Sequence, residues 1–245
     1  MRRSLFLRYW IFNFFLMKLS EKYASVLHLL ESNYPDAKTE LNYNDPYQLV
    51  VAVLLSAQCT DKRVNMVTPK FFQRFPDFFV LSNASESEIK TLISSVTYPN
   101  SKSKHLSLLA KEIVLRFNGE IINDRDLLET LPGIGRKTAN VIVSVLFNSP
   151  FIAVDTHVFR VSRRLGLSNS KTVIGVEEDL EKNIPEDKRA IAHHWLILHG
   201  RYVCTARNPK CESCILLNFC TDYHIRSRAD FHKSSSSRRT KTASD

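Results

Sequence analysis

Apolar positions recur every three or four residues along almost the whole chain, the spacing of one face of a helix. From Met17 the stretch MKLSEKYASVLHLLE places Tyr23, Val26, Leu27 and Leu30 on one side. Asp45-Pro46 then opens YQLVVAVLLSAQ, a capping aspartate followed by a proline in the first turn. That segment is apolar on all sides from Leu49 to Leu55, so it is expected at the centre of a core. The same spacing predicts helices over 62–74, 86–95, 101–117, 124–130, 136–147, 156–165, 175–182 and 187–202. Strand signals are poor: the best candidate, Phe151 to Val154, is four residues long and fits a buried connector equally well. No repeat of fixed period is evident, and the predicted class is all-α.

Composition supports this picture. The 245 residues are 44% hydrophobic with 15 Phe, enough to bury a sizeable core and to exclude disorder of the whole chain. Six Gly and nine Pro are too few for the many tight turns of a β-sandwich or barrel. The balance of 34 Lys+Arg against 25 Asp+Glu, a formal charge of +9, favours a polyanionic partner. Residues 1–16 begin with basic residues and an apolar run, as an export signal does. Arg8 and Asn13 interrupt that run, however, and no small-x-small cleavage pattern follows. They are read as an N-terminal extension, untranslated or loosely attached, ahead of a start at Met17, and no membrane span is expected. Residues 224–245 are basic and serine-rich, and are read as a disordered tail, inert or an electrostatic tether to phosphate.

Two segments carry candidate chemistry. In DLLETLPGIGRKTANVIVSVLF a short helix must end at Pro132, and Gly133 and Gly135 permit a tight turn with outward N–H groups. The next helix begins at once, and its positive N-terminal end suits a phosphate; an ordinary packing corner explains the glycines as well. Lys137 lies in that first turn. The dipole, neighbouring Arg136 and burial would each lower its pKa and leave a nucleophilic amine, against the alternative of a solvent-facing lysine touching phosphate. Eighteen residues on, Asp155 ends the apolar run Ile152-Ala153-Val154; it is a natural helix cap and could also handle a proton. Arg160, Arg163 and Arg164 follow, as a solvated face or a phosphate track.

The second segment holds Cys204, Cys211, Cys214 and Cys220, spaced C-x6-C-x2-C-x5-C. Four thiolates this close form one metal site, for zinc or an iron–sulfur cluster, and the spacing does not choose between them. The loop between the first two ligands carries Arg207 and Lys210, placed to meet phosphate. Cys59 stands apart as a small buried residue or free thiol, and His193, His194 and His199 are expected in the core or behind the ligands.

LLSAQCTD at 54–61, LPGIGRKTAN, IAVDTHVFRV and HHWLILHGRYVC with its four cysteines together resemble the endonuclease III family of helix-hairpin-helix DNA glycosylases, from about Met17 to Tyr223. The resemblance implies a two-lobed all-α fold: a six-helix domain over 39–149, and a lobe of 17–38 with 150–223 around a [4Fe-4S] cluster held by the four cysteines. DNA would lie in the cleft between lobes. It implies base-excision chemistry in which Lys137 attacks C1′ of a flipped-out nucleotide, a Schiff base forms, and β-elimination cuts the strand, with Asp155 assisting. The implied substrates are oxidised or ring-saturated pyrimidines and abasic sites in double-stranded DNA. DNA contacts are expected from Gln58, Tyr98, Leu131, Gly133, Gly135, Arg136, Arg207 and Lys210, with Gln58 filling the gap left by the extruded base.

The chain departs from the family pattern at Thr97-Tyr98-Pro99-Asn100-Ser101-Lys102-Ser103, where relatives read G-[LF]-Y-N-x-K-A; Tyr98 is the candidate wedge there. A monofunctional mismatch glycosylase is disfavoured by Lys137 and the short tail, and a non-catalytic DNA-binding module predicts binding without turnover. A monomer in the bacterial cytoplasm, at the nucleoid, is expected, since such a cluster is assembled under reducing conditions.

Overall fold

The computed structural model describes residues 17–227, and the expected extension at 1–16 and most of the expected tail lie outside them. Among the described residues there is no strand. They fall into two compact units: Lys38–Ala153 forms one, and the residues up to Ala37 join those from Val154 onward in the other.

The Lys38–Ala153 unit holds α2 (Pro46–Ser56), α3 (Asp61–Arg74), α4 (Phe78–Ser82), α5 (Glu86–Leu92), α6 (Pro99–Phe117), α7 (Arg125–Glu129) and α8 (Arg136–Phe147). That is one helix more than the six expected. The addition is α4, five residues that start at an Asp77 cap and bury Phe78 and Leu81. So short a helix leaves no periodic signature, and its stability comes from packing on α6. Helix α2 is central, as its unbroken apolar run requires: every residue from Leu49 to Leu55 is buried. Each fully buried aliphatic side chain contributes about 1.5–3 kcal/mol relative to exposure. Asp45 Oδ1 accepts from Gln48 N at 2.8 Å, with Pro46 in the first turn. Helix α5 stops three residues short of expectation, and α6 starts two residues early, at Pro99. Phe151 to Val154 form no strand; Ile152, Ala153 and Val154 are a buried connector.

In the other unit α1 (Leu19–Asn33), α9 (Thr156–Leu165), α10 (Val173–Asn183) and α11 (Glu186–Tyr202) surround the cysteine loop. Helix α11 packs on both α1 and α9. Two 3-10 turns, Cys211–Ser213 and Leu217–Phe219, shape the loop. Residues 221–227 are helical, so ordered chain reaches past His224, where the tail was expected to begin. An Arg226–Asp222 ion pair at 2.8 Å, one turn apart, supports that last helix.

Candidate functional site

The glycine corner joins α7 to α8. Leu131 and Ile134 are 3% and 4% exposed and anchor the turn in the core, and Ile134 N donates to Leu131 O at 3.1 Å. The Leu131 side chain is therefore a packing anchor, which leaves its backbone as the part that could meet DNA. Gly133 has φ +78, and a Cβ there would lie 2.8 Å from His105 Cβ, so only glycine fits. Gly135 differs: it caps α8 in extended conformation, with open space where a Cβ would stand. Gly135 has no side chain with which to cap α8, whereas Asp45, Thr60, Asp77, Ser85 and Asp124 cap α2, α3, α4, α5 and α7 with a side-chain oxygen. A helix start of this kind, with its positive dipole end at a bare glycine, suits an anion.

Lys137, the second residue of α8, is exposed, while Ala139, Ile142 and Val143 bury the opposite face of the helix. The side chain is thus not buried, contrary to one part of the expectation; the helix turns it to solvent because the apolar stripe lies on the other side. Arg136 is half-buried beside it. Beyond α8 the chain is tied back to it by Ser144 Oγ to Phe151 O at 2.8 Å and Asn140 Nδ2 to Ile152 O at 3.4 Å. Asp155 caps α9: its Oδ1 accepts from both His157 N and Val158 N at 2.8 Å. The cap uses one carboxylate oxygen and leaves Oδ2 outside it.

Gln58 and Tyr98 are both exposed and both have left-handed backbones, φ +54 and +55. Two side chains that sequence reasoning missed bring their loops together. Thr97 Oγ1 donates to Gln58 O at 2.8 Å. Lys102, only 5% exposed, donates to Leu55 O and Ala57 O at 2.8 Å and to Thr97 Oγ1 at 3.3 Å. Burial pushes the Lys102 ammonium below its usual range, and its oxygen partners offset the cost of holding a cation there.

Cys204, Cys211, Cys214 and Cys220 are free thiols that line one pocket. Among the described residues no three cysteine, histidine or carboxylate groups converge closely enough to share one ion. Zinc would draw all four sulfurs to about 2.3 Å from a single centre. Four cysteines around a common space also fit a polynuclear iron–sulfur cluster. Burial pushes the Cys220 thiol up to about 11 and raises Cys214 as well; the positive charge of a bound metal favours the thiolate form.

Each sulfur has a nitrogen beside it. Arg164 Nη1 reaches Cys204 Sγ at 3.4 Å, Arg226 Nη2 reaches Cys211 Sγ at 4.0 Å, His199 Nε2 lies 3.5 Å from Cys214 Sγ, and Tyr223 N donates to Cys220 Sγ at 3.4 Å. Arg164 also donates to Thr205 O and Ala206 O, and Arg160 to Cys204 O and Gly200 O. These two arginines hold the cysteine loop and are neither a solvated face nor a phosphate track. Arg163 alone is exposed, over the Phe159 ring. Lys22 of α1 is 8% exposed and binds Leu165 O and Thr221 Oγ1 at 3.0 Å. Arg207 and Lys210 project from the loop, both exposed. Cys59 is half-buried against the core of the other unit, away from the cysteine loop in the chain.

Residues 51–186 match the HhH-GPD superfamily of base excision DNA repair proteins, and 204–220 match the iron–sulfur binding domain of endonuclease III. Endonuclease III of Haemophilus influenzae is 42% identical over 199 residues, 81% of this chain and 94% of that one; the Escherichia coli K12 protein is 43% identical over the same shares. A solved endonuclease III trapped as a covalent intermediate with DNA aligns at a TM-score of 0.82 and 41% identity, over 86% of this chain and all of that one. With the hairpin and the four-cysteine pocket in place, these likenesses show that the chain belongs to the endonuclease III family, the iron–sulfur DNA glycosylases and AP lyases of base excision repair.

Proposed function

We propose that the protein removes oxidised or ring-saturated pyrimidines from duplex DNA and cleaves the resulting abasic sites through Lys137. One observation carries this reading: an exposed lysine stands in the first turn of a helix that begins at Gly135, directly after a turn that only glycine can make. Such a corner can receive a phosphate while the amine reaches the neighbouring sugar. The Lys137 nitrogen would form a bond to C1′ as the C1′–N bond to the base breaks, the base leaving with the electron pair and a proton. Opening of the sugar ring gives an iminium, loss of a C2′ proton follows, and the 3′ phosphate departs by β-elimination. The Asp155 oxygen left outside the cap is suited to accept a proton or steady the developing cation.

Gln58 and Tyr98 would occupy the space a flipped nucleotide vacates, and Gly133, Gly135, Arg136, Arg207 and Lys210 would hold backbone phosphates. Cys204, Cys211, Cys214 and Cys220 would hold a [4Fe-4S] cluster, which supplies structure to the loop when bound. No described helix is long and apolar enough to cross a membrane. We place the protein as a monomer in the cytoplasm, where a cluster of this kind can be assembled and DNA is at hand.

Borohydride trapping on a duplex with one abasic site tests the reading. Wild type is expected to give a covalent adduct that Lys137→Gln does not. An adduct that persists in Lys137→Gln, or wild type that binds the duplex without forming one, overturns the assignment.

A further inference from the structure

Two exposed side chains, Gln58 and Tyr98, sit on left-handed backbones forty positions apart in the chain. Neither is glycine, so each conformation must be imposed by its surroundings. The surroundings are shared. The Thr97 hydroxyl, next to Tyr98, donates to the carbonyl of Gln58 at 2.8 Å. Buried Lys102 accounts for three oxygens at once, the carbonyls of Leu55 and Ala57 where α2 ends and the Thr97 hydroxyl. The backbone of Lys102 in turn donates to Tyr98 O at 3.1 Å. One hydroxyl and one ammonium thus join the end of α2 to the start of α6 and leave the two side chains outside the junction.

We propose that Thr97 and Lys102 are positioning residues that lock Gln58 and Tyr98 into a single two-pronged probe, and that the brace sets how readily the enzyme unstacks and extrudes a base. This rests on the proposed role of Gln58 and Tyr98 in the gap left by a flipped nucleotide. A probe held from both loops enters the stack without first ordering either one, so its contribution falls on base extrusion and not on the covalent chemistry at Lys137. An abasic site has no base to extrude and should not depend on the brace.

Thr97 is the residue to test, because removing Lys102 would orphan buried carbonyls and endanger the fold. Thr97→Val keeps the shape and removes the hydroxyl; Thr97→Ser keeps the hydroxyl. With dihydrouracil as the lesion, Thr97→Val should slow single-turnover base removal about tenfold, the scale of one hydrogen bond. Cleavage of a preformed abasic site should stay within about twofold, and Thr97→Ser should restore base removal. On a duplex with 2-aminopurine opposite an uncleavable lesion analogue, the fluorescence rise on binding should shrink in Thr97→Val and recover in Thr97→Ser. Unchanged base removal and fluorescence in Thr97→Val, a parallel loss of both activities, or failure of the serine to restore either signal overturns the brace. If wild type leaves the dihydrouracil in place, the substrate reading has failed, and the fluorescence comparison alone decides the brace.

Discussion

The glycine corner and the cysteine loop are built on opposite plans. At the corner, α8 begins without a side-chain cap, Gly135 has open space around it, and Lys137 stands in solvent. Around the cysteines the groups are closed off: Arg160 and Arg164 take up carbonyls of Gly200, Cys204, Thr205 and Ala206, and a nitrogen lies beside every sulfur. Surfaces that a substrate must enter keep donors available, whereas a loop that must hold a prosthetic group uses up its hydrogen-bonding capacity internally. Both are rigid, one through buried Leu131 and Ile134, the other through guanidinium forks.

The contrast is sharpest at Lys137. Lys137→Gln should lower strand cleavage at abasic sites by roughly a thousandfold or more while leaving the fold intact, as expected for loss of a nucleophile from an exposed position; cleavage rates together with thermal melting check this. On the closed side, Arg164→Met removes donors from one sulfur and two carbonyls and should cost about 2–4 kcal/mol with loss of the cluster's visible absorbance. Exposed Arg163→Met should stay within about 0.5 kcal/mol. Urea unfolding and iron analysis of the two variants separate them.

Within the corner itself, Gly133→Ala should destabilise by about 1–3 kcal/mol, because φ +78 and the crowding of His105 both oppose a Cβ. Gly135→Ser should change stability by only a few tenths of a kcal/mol. Its hydroxyl would nonetheless occupy the first N–H groups of α8, and DNA affinity measured by anisotropy at two salt concentrations should fall.

A further effect is one of pH. Burial, and then Arg201, depress His194 to about 4, so the folded state binds fewer protons than the unfolded one between pH 6.5 and 4. The stability this histidine contributes is complete above about 6.5 and declines as pH falls through that window, by at most about 1.4 kcal/mol per pH unit. His194→Gln should flatten that part of the acid limb in denaturant titrations.

Much of this was legible in the chain. Helices α2, α8 and α9 carry their own start signals, Asp45-Pro46, Gly135 and Asp155, and the four cysteines announce a metal site by proximity. Helix α4 was not, since five residues hold no period. Nor were the partners of Arg160 and Arg164, which are carbonyls some forty residues away; distant backbone acceptors leave no trace in composition. Lys22 and Lys102 did leave a clue. Each continues an apolar stripe at helical spacing, Lys22 with Val26 and Leu30, Lys102 with Leu106, Leu109 and Ile113, and a cation on such a stripe has a carbonyl cluster to meet.

Lys22 has one more consequence. Its ammonium, near the beginning of the chain, grips Thr221, 199 residues later, and with it the Leu165 carbonyl. During synthesis the continuous Lys38–Ala153 unit can close while later residues are still being added, but the knot around Lys22 must wait until residue 221 has left the ribosome. The α1 helix therefore waits for partners made only after the whole Lys38–Ala153 unit, and its unit closes in two instalments of chain.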